Sequence, residues 1–396
     1  MIDHRQLGRE LEIFHSDPLI GAGLPIWLPA GAAARHAVEE YIREQERLEG
    51  YQHVYSPPLG KVQMYRRSGH LAKFGDDMFP AMADGNDDPD QALMLRPSLC
   101  PHHAIVYAAK GRSYRELPLR IAELGGMFRA ERSGVVGGLS RVRSIWLNDA
   151  HIFCRLDQAQ DEVAGVLRFM GRAHKALGLE PHRFRLSLRG SNALGDPREW
   201  DLAEEMLRAA LVEAGIEFQE EHGEAAFYGP KIDVQVRDSA GREWSLATVQ
   251  IDFAQPARFE LEYVDSKGER QRPVMVHRSI IGSLERLFAH LIEVHQGAFP
   301  AWYAPLQLAV LPVGAAQDVA AREFADRAMR EGLRVEIAHE GSLGLRVREA
   351  VKRKVPFIAV IGAKEAASGQ VALRLRDGSE LPPLPADAAL ERIRAL

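Results

Sequence analysis

The sequence predicts two domains, each of which combines helices and strands. The larger is expected over residues 1–302, with a mixed, largely antiparallel sheet flanked by helices, and a small α/β domain is expected over residues 303–396. From Phe128 onward, strand-like segments are separated by turns and helices, which is typical of an antiparallel sheet with helices beside it. After Ala304-Pro305 the pattern changes to an alternation of strand and helix, which indicates a separate α/β domain.

Hydrophobic spacing predicts the individual elements. From about Ala32 to Leu48, charged and apolar residues recur at helical spacing, so a helix is expected there. An extended stretch follows from Tyr51 to Tyr55. In the smaller domain LQLAVLPV, RVEIA, FIAVIG and VALRLR predict strands, and the first three are separated by a helix through Arg330 and by a basic helix. A solvated helix face is the ordinary explanation of such a basic run.

Composition limits the class of protein. The chain has 396 residues, of which 46% are hydrophobic, so it can bury large cores. Its net charge of −5 argues against a general coat for nucleic acid, and any such surface is expected to be local. Two cysteines, Cys100 and Cys154, cannot form a disulfide framework, which points to a reducing compartment. Because no apolar run approaches about 18 residues, we expect a soluble, cytoplasmic protein with no membrane partner.

Two arginine-bearing segments suit a phosphate ligand. Arg129 and Glu131 are read as the end of one strand, where a period of two places both side chains on one face. A glycine-containing loop follows, and Arg141 begins a strand-like return. Guanidinium groups pair bidentately with phosphate oxygens, so this hairpin suits a triphosphate. Charged residues on a hairpin are more often solvated surface, and the pattern alone leaves that alternative open.

The second segment is HRSIIGSLERLFAHLIE. Ser283 is a plausible N-cap, and Arg286 lies in the first turn of an apolar-periodic helix. Since that helix is expected to be buried, Arg286 requires a carboxylate or a ligand anion as its partner.

One thiol and two imidazoles form a candidate zinc set. Cys100, His151 and His277 could hold zinc and leave a fourth position open for substrate. They lie far apart in the sequence and match no local zinc-finger spacing, so a structural role for each residue remains the alternative. The HExxH and GxxxxGK[ST] motifs are absent from the sequence, which argues against a zincin or a P-loop enzyme.

Several motifs in one order resemble the threonyl-tRNA synthetases, a family of class II aminoacyl-tRNA synthetases. RSYRELPLRIAELGGMFRAERSG, GLSRVRS, DAHIFC, AFYGPKID, TVQIDF and PVMVHRSIIGSLER resemble the catalytic domain of that family. GLRVEI through VPFIAVIGAKEAASGQVALR resembles its anticodon-binding domain. The resemblance runs from Asp3 almost to the C-terminus. The family's editing and ubiquitin-like domains have no counterpart in this sequence, so a chain that begins at the catalytic domain is expected.

The resemblance implies roles in binding ATP and the amino acid. Arg129 would hold the substrate carboxylate and the α-phosphate, and Glu131 the adenine amino group. Arg141 and Arg286 would hold the γ-phosphate of an ATP molecule that carries Mg²⁺. Arg129 and Arg286 would thus act in catalysis. Further residues implied for the nucleotide are Thr248 and Gln250, and those implied for the amino acid are Asp149, Tyr228, Lys231 and Gln250.

The resemblance also implies a metal and partners. One Zn²⁺ per chain would be held by Cys100, His151 and His277 and would bind the amino and hydroxyl groups of threonine. His70 would assist attack by the terminal ribose of tRNA. A homodimer interface would lie at about residues 39–58. Glu365 and Arg374 would read anticodon bases in the tRNA.

The departures from the family pattern concentrate in the active site. Ser98-Leu99 precedes the zinc cysteine, where the family has Met-Asn. Leu147 and Ser245 each replace a side-chain amide that a polar substrate would use, and losing such a hydrogen bond costs on the order of 1 kcal/mol. We therefore expect retained activation chemistry in a reshaped pocket. In the smaller domain Lys354 stands where an Arg is usual, which loses bidentate geometry and weakens the expectation of specific tRNA reading.

Three functions remain in competition on the sequence. The leading interpretation is a threonine–tRNA ligase without its own editing domain. The second is a paralogue that activates threonine or a related β-hydroxy amino acid for a carrier protein or another acceptor. The third is a synthetase-like binding or regulatory protein, against which the intact Arg129, Glu131, Arg286 and zinc set argue. His70 favours tRNA as the acceptor, whereas the altered pocket favours the paralogue.

Overall fold

The structure is a computed structural model that describes residues 2–83, 85, 88–191 and 193–395. Contacts divide it into two compact units. The larger unit consists of Ser16–Pro25 and Ile42–His290, and the smaller of Met1–His15, Ile26–Tyr41 and Leu291–Leu396. The sequence did not indicate that two N-terminal segments belong with the C-terminal unit, and the expected domain boundary at residues 302 and 303 stays a prediction.

An eight-stranded sheet forms the centre of the larger unit. Its strands are β1 (Gln52–His53), β2 (Leu119–Phe128), β3 (Ser144–Cys154), β4 (Arg183–Leu188), β5 (Phe218–His222), β6 (Lys231–Arg237), β7 (Glu243–Asp252) and β8 (Val274–Ser279). They lie side by side in the order β1-β2-β3-β8-β7-β6-β4-β5. Only the outer pairs, β1 with β2 and β4 with β5, are parallel. The mixed, largely antiparallel sheet expected from the sequence is therefore confirmed.

A five-stranded sheet belongs to the smaller unit. Its strands are β9 (Leu308–Pro312), β10 (Val335–Ile337), β11 (Phe357–Ile361), β12 (Gln370–Leu375) and β13 (Leu384–Pro385), in the order β10-β9-β11-β12-β13. β9 is parallel to β10 and β11, as expected for strands joined through helices, and β12 is antiparallel to β11. The predicted α/β domain is thus confirmed.

Helices cover both sheets. They are α1 (His4–Glu10), α2 (Pro29–Leu48), α3 (Val62–Ser68), α4 (His70–Phe74), α5 (Cys100–Ala108), α6 (Ala159–Leu177), α7 (Pro197–Glu213), α8 (Ala254–Arg258), α9 (Leu284–His295), α10 (Asp318–Arg330), α11 (Leu343–Lys352), α12 (Ala363–Ser368) and α13 (Ala386–Arg394). α2 begins three residues before the predicted Ala32. Across the described ranges, no helix is both long and apolar enough to cross a membrane.

Two strand ends differ from the sequence prediction. β2 ends at Phe128, so Arg129 and Glu131 lie just beyond the strand rather than on it. β3 begins at Ser144, and Arg141 makes only an isolated bridge to Gly137. Alternation of side chains cannot show where the hydrogen-bonded ladder stops, and here the glycine-containing loop begins earlier and ends later than predicted.

Candidate active site

A cavity of about 340 Å³ opens on one face of the eight-stranded sheet. It is lined by all but one of the site residues that the sequence predicted in the larger domain: Cys100, Arg129, Glu131, Arg141, Asp149, His151, Tyr228, Lys231, Thr248, Gln250, His277 and Arg286. The remaining one, His70, contacts residues that line the cavity. One site therefore collects side chains from five separate stretches of the chain.

The pairing register of the sheet builds the cavity floor. Lys231 pairs with Gln250, Gln250 with His277, and His277 with His151, so these residues form one row across β6, β7, β8 and β3. Two residues further along β7, Thr248 pairs with Asp233 on one side and with Ser279 on the other. Because side chains alternate along a strand, both rows face the same side of the sheet.

Cys100, His151 and His277, the thiol–histidine cluster, meet at this floor. Cys100 is the first residue of α5, which lies over the row. One ligand atom of each residue lies within 4.8 Å of the other two, and all three side chains are buried. The three residues that the resemblance implied as metal ligands are thus brought together.

Burial shifts the pKa values of Cys100 and His151 in this cluster. It raises the pKa of the Cys100 thiol and lowers the pKa of His151 well below its usual value. Neutral imidazoles are the form that binds metal, and a nearby cation would favour the thiolate. One sulfur and two nitrogens are a donor set that suits Zn²⁺, so the residues present fit the metal that the resemblance implied.

The arginine cluster, Arg129, Glu131, Arg141 and Arg286, lines another part of the cavity. Arg141 pairs with Glu131 at 2.9 Å. Burial lowers the pKa of Arg286, and the positive charges of Arg129 and Arg141 lower it further. Burial likewise lowers the pKa of Arg129, although Glu131 opposes this. Three cations crowded around one carboxylate are a surface that favours a polyanionic ligand.

The turn between β8 and α9 positions Arg286. Gly282 has φ of +67°, and a Cβ there would lie 2.2 Å from the carbonyl oxygen of Leu246. The Ser283 hydroxyl then accepts a hydrogen bond from the Arg286 amide at 3.1 Å, so it caps α9 as the sequence predicted. The Arg286 guanidinium donates to the carbonyl oxygens of Ser140 and Ser245, at 3.2 and 3.4 Å. These neutral acceptors leave its charge available to an anion.

Polar groups without partners lie between the two clusters. Among the described residues, the buried Oγ1 of Thr248 and Oε1 of Gln250 have no hydrogen-bond partner. Asp149 is buried next to the thiol–histidine cluster, with a carboxylate oxygen 3.9 Å from Nε2 of His151. Burial raises the pKa of Asp149 to about 6. Since buried polar atoms are nearly always paired in proteins, the unpaired Oγ1 of Thr248 and Oε1 of Gln250 indicate a polar ligand.

Lys231 and Tyr228 complete the floor. The ammonium of Lys231 lies 2.8 Å from Oδ2 of Asp233, which also accepts a hydrogen bond from Arg185 at 3.0 Å. The ring of Tyr228 stacks on that of His277, with centroids 4.8 Å apart. Asp233 was not singled out in the sequence, although a buried acid in the middle of a strand requires a partner.

His70 lies beside the thiol–histidine cluster. The Ser68 hydroxyl donates to the carbonyl oxygen of Tyr65, so its oxygen accepts a hydrogen bond from the Nδ1–H of His70, 2.8 Å away. Nε2 of His70 is then a hydrogen-bond acceptor, and it lies 2.9 Å from Oγ of Ser98 and 3.7 Å from Sγ of Cys100. Burial lowers the pKa of His70 to about 3, which keeps the ring neutral.

The pocket departures divide into two groups. Leu147, Ser245 and Leu246 line the cavity, as does Ser98. Leu99 is fully buried and does not belong to the lining; its side chain packs so closely on Gly125 that a Cβ there would lie 2.3 Å from it.

The two residues expected to read the anticodon have partners within the smaller unit. The Glu365 carboxylate accepts a hydrogen bond from the Gly362 amide at 3.0 Å and so caps α12. Arg374 on β12 pairs with Glu380 at 2.8 Å. Their role toward tRNA stays a prediction.

Comparison with known proteins agrees with this geometry. Residues 82–295 match the family model described as tRNA synthetase class II core domain (G, H, P, S and T), and residues 307–396 match the model of an anticodon binding domain. The fold and the arginine-lined cavity thus define the catalytic core of a class II aminoacyl-tRNA synthetase.

Individual relatives narrow the family. The chain is 46% identical to the threonine–tRNA ligase of Geobacillus sp. (strain WCH70) over 94% of its own length and 58% of the relative's. It is 43% identical to that of Listeria welshimeri over 99% and 62%. A crystal structure of the RNA binding domain of threonyl-tRNA synthetase from Cryptosporidium parvum Iowa II is 32% identical, covers 100% of this chain and 98% of that one, and has a TM-score of 0.94. The chain belongs to the threonyl-tRNA synthetase family, and it spans about 58% of the length of the first curated relative.

Proposed function

We propose that the chain activates threonine with ATP and transfers it from the adenylate to tRNA. The observation that carries this proposal is one cavity in which the arginine cluster and the thiol–histidine cluster lie together, with unpartnered polar atoms between them. The arginines suit a triphosphate, and the second cluster suits a small polar molecule.

The arginine cluster would act on ATP. Adenylate formation is an in-line displacement at the α-phosphorus, and positioned cations together with Mg²⁺ can supply most of the stabilisation. Arg129 would hold the α-phosphate and Arg286 the γ-phosphate. Arg141 and Glu131 form an ion pair at 2.9 Å, which ATP would have to replace. Arg141 would then bind the γ-phosphate, and Glu131 would accept a hydrogen bond from the adenine amino group.

The thiol–histidine cluster would select the amino acid. Cys100, His151 and His277 would hold one zinc ion, which when bound would coordinate the amino and hydroxyl groups of threonine at its open positions. Asp149 would accept the substrate hydroxyl proton. The unpartnered Oε1 of Gln250 would accept from the substrate, and Thr248 would contact the nucleotide. Lys231 and Tyr228 would close the pocket. Valine has nearly the same shape as threonine, so only contacts to the hydroxyl can reject it strongly.

His70 would serve the transfer to tRNA. Its Nε2 is unprotonated and lies beside the cavity, where it would accept a hydrogen bond from a ribose hydroxyl in place of Ser98 and so orient that hydroxyl. Glu365 and Arg374 would exchange their present partners for anticodon bases.

A homodimer interface at about residues 39–58 is supported by Tyr55, which is 83% exposed. The thiols of Cys100 and Cys154 are free, which supports the expected reducing, cytoplasmic compartment.

A second candidate function is favoured by one observation. Leu147 and Leu246 line the cavity, and Leu147 replaces a family amide. An apolar wall beside the thiol–histidine cluster suits a bulkier or less polar β-hydroxy amino acid than threonine. The acceptor would then be a carrier protein or another nucleophile.

ATP–pyrophosphate exchange across a panel of amino acids, followed by charging assays with and without tRNA, tests both candidates. The first predicts that threonine gives the highest kcat/KM and that tRNA becomes acylated. A clear preference for a longer β-hydroxy homologue, with no charging of tRNA, would contradict it and support the second. Absence of exchange with every amino acid would contradict both.

A further inference from the structure

Each histidine of the thiol–histidine cluster is held at its second ring nitrogen, but by different groups. Nε2 of His277 lies 2.8 Å from a carboxylate oxygen of Asp252. Nδ1 of His151 lies 2.7 Å from Nδ1 of another histidine, His103. Nε2 of His103 lies 3.2 Å from a carboxylate oxygen of Glu123. All these side chains are buried, so bulk water does not compete for the contacts.

The proton positions in this chain can be assigned from its far end. Burial alone would raise the pKa of Glu123, but hydrogen bonds from His103 and Ser56 and the charge of Arg96 bring it to about 2. Glu123 is therefore a carboxylate at neutral pH and can only accept hydrogen bonds. It accepts from the Ser56 hydroxyl at 2.6 Å and from the Arg96 guanidinium at 3.1 Å. His103 must then donate to it from Nε2.

The assignment passes from His103 to His151. In the tautomer of His103 that carries its single N–H on Nε2, facing Glu123, Nδ1 is the acceptor. The hydrogen bond between the two Nδ1 atoms needs one proton, which must therefore be on His151. Nε2 of His151 is left with its lone pair. By the same reasoning His277 donates from Nε2 to Asp252 and keeps a lone pair on Nδ1.

We propose that His103 and Glu123 are positioning residues that fix the tautomer of His151, so that Nε2 is its metal-binding nitrogen. Asp252 fixes His277 in the opposite tautomer, with Nδ1 as the ligand. The inference rests on the zinc site of the proposed function. Partners of metal-bound histidines orient the ring and set its tautomer, and changing one lowers metal affinity by about 10- to 100-fold.

The hydrogen-bonded series Glu123–His103–His151 is called the relay below. The substitution Glu123→Gln tests it and leaves the side chain of His151 unaltered. Oε1 of Glu123 faces donors, the Arg96 guanidinium and the Ser56 amide at 3.2 Å, so the carboxamide oxygen of the variant takes this position. Its NH₂ group then faces Nε2 of His103 and donates to it. His103 must consequently donate from Nδ1, which forces the proton of His151 onto Nε2, the nitrogen that the metal needs.

Zinc affinity of the whole chain, measured by competition with a chromogenic chelator, is the readout. Glu123→Gln and His103→Leu are expected to weaken zinc binding by about 10- to 100-fold. His103→Gln should lose less, because its amide oxygen can still accept from Nδ1 of His151. The matched control is His102→Gln on the same helix, since the His102 ring makes its hydrogen bond to the Leu59 carbonyl at 3.3 Å; the zinc affinity of this variant should not change.

Thermal melts of the zinc-free variants show which of them fold. If Glu123→Gln unfolds because Arg96 loses its partner, the difference between His103→Leu and His103→Gln decides the question. Wild-type zinc affinity in every folded variant at residues 103 and 123 would overturn the relay and leave the zinc site intact. A wild-type chain that binds no zinc would overturn the zinc site and the relay with it, while adenylate formation could still be measured separately.

Discussion

At the arginine cluster, positive charges crowd together and Arg286 donates its hydrogen bonds to backbone carbonyls, whereas at the thiol–histidine cluster each imidazole is held by a buried side chain. Burial and the neighbouring charges of Arg129 and Arg141 lower the pKa of Arg286, so this cluster favours an anion as its ligand. His151 and His277 are already fixed by His103 and Asp252. The arginine cluster therefore suits an anionic ligand, and the thiol–histidine cluster suits the metal ion proposed above.

The largest effect is expected at the thiol–histidine cluster. His277→Ala removes one of three ligand atoms that lie within 4.8 Å of one another, so zinc content and amino-acid activation should be lost together. Metal analysis and ATP–pyrophosphate exchange on the same preparation check this. A zinc-free enzyme with full activity would remove the metal from the account.

A substitution in the arginine cluster should lower ATP-dependent activation and leave the stability of the fold unchanged. Arg286→Ala is expected to lower adenylate formation by about 10²- to 10³-fold, the range seen when one transition-state contact is removed. Its melting temperature should not fall, because the charge is buried against neutral acceptors and repelled by its neighbours. Arg242→Ala is the matched control, since that side chain is 76% exposed on a loop. Collapse of the Arg286 variant with ATP absent would instead assign the residue a structural role.

The pocket wall should give the smallest effect. Leu147→Gln returns an amide to the cavity. One hydrogen bond contributes roughly 0.5–1.5 kcal/mol, so kcat/KM for threonine is expected to rise by about 2- to 12-fold. Leu202→Gln, at a surface position that is 40% exposed, controls for the same change of side chain. If Leu147→Gln leaves kcat/KM unchanged for both threonine and a longer β-hydroxy homologue, the wall does not contact the substrate as proposed.

The sequence predicted the two regions unequally. The arginines sit in short local motifs, a strand end with its loop and a capped helix start, and local motifs can be recognised without a fold. Cys100, His151 and His277 had no informative spacing and were assigned only through the family resemblance. What joins His151 to His277 is the pairing register of β3 with β8, which a one-dimensional pattern does not contain.

The sequence analysis did not predict the side chains that hydrogen-bond to the histidines of the thiol–histidine cluster. Glu123 lies inside the apolar strand β2, and Asp252 is the last residue of β7. A carboxylate within a buried strand must be paired, so Glu123 was itself a signal of a buried polar network, although its partner could not be known. The fold class was predicted correctly because alternation and periodicity are repeated over many residues, whereas strand ends such as Phe128 depend on single loop positions.

We propose that one cavity activates an amino acid with ATP and requires the hydroxyl group of that amino acid. The most direct test compares kcat/KM in ATP–pyrophosphate exchange for threonine, serine and valine. Serine keeps the amino and hydroxyl groups, so losing one methyl should cost it only about 10- to 200-fold. If the proposed zinc and Asp149 bind the hydroxyl, valine would leave both without a partner, and its kcat/KM should fall by about 10⁴-fold or more, as for sites built around a substrate hydroxyl. Valine activated as well as threonine would contradict the account.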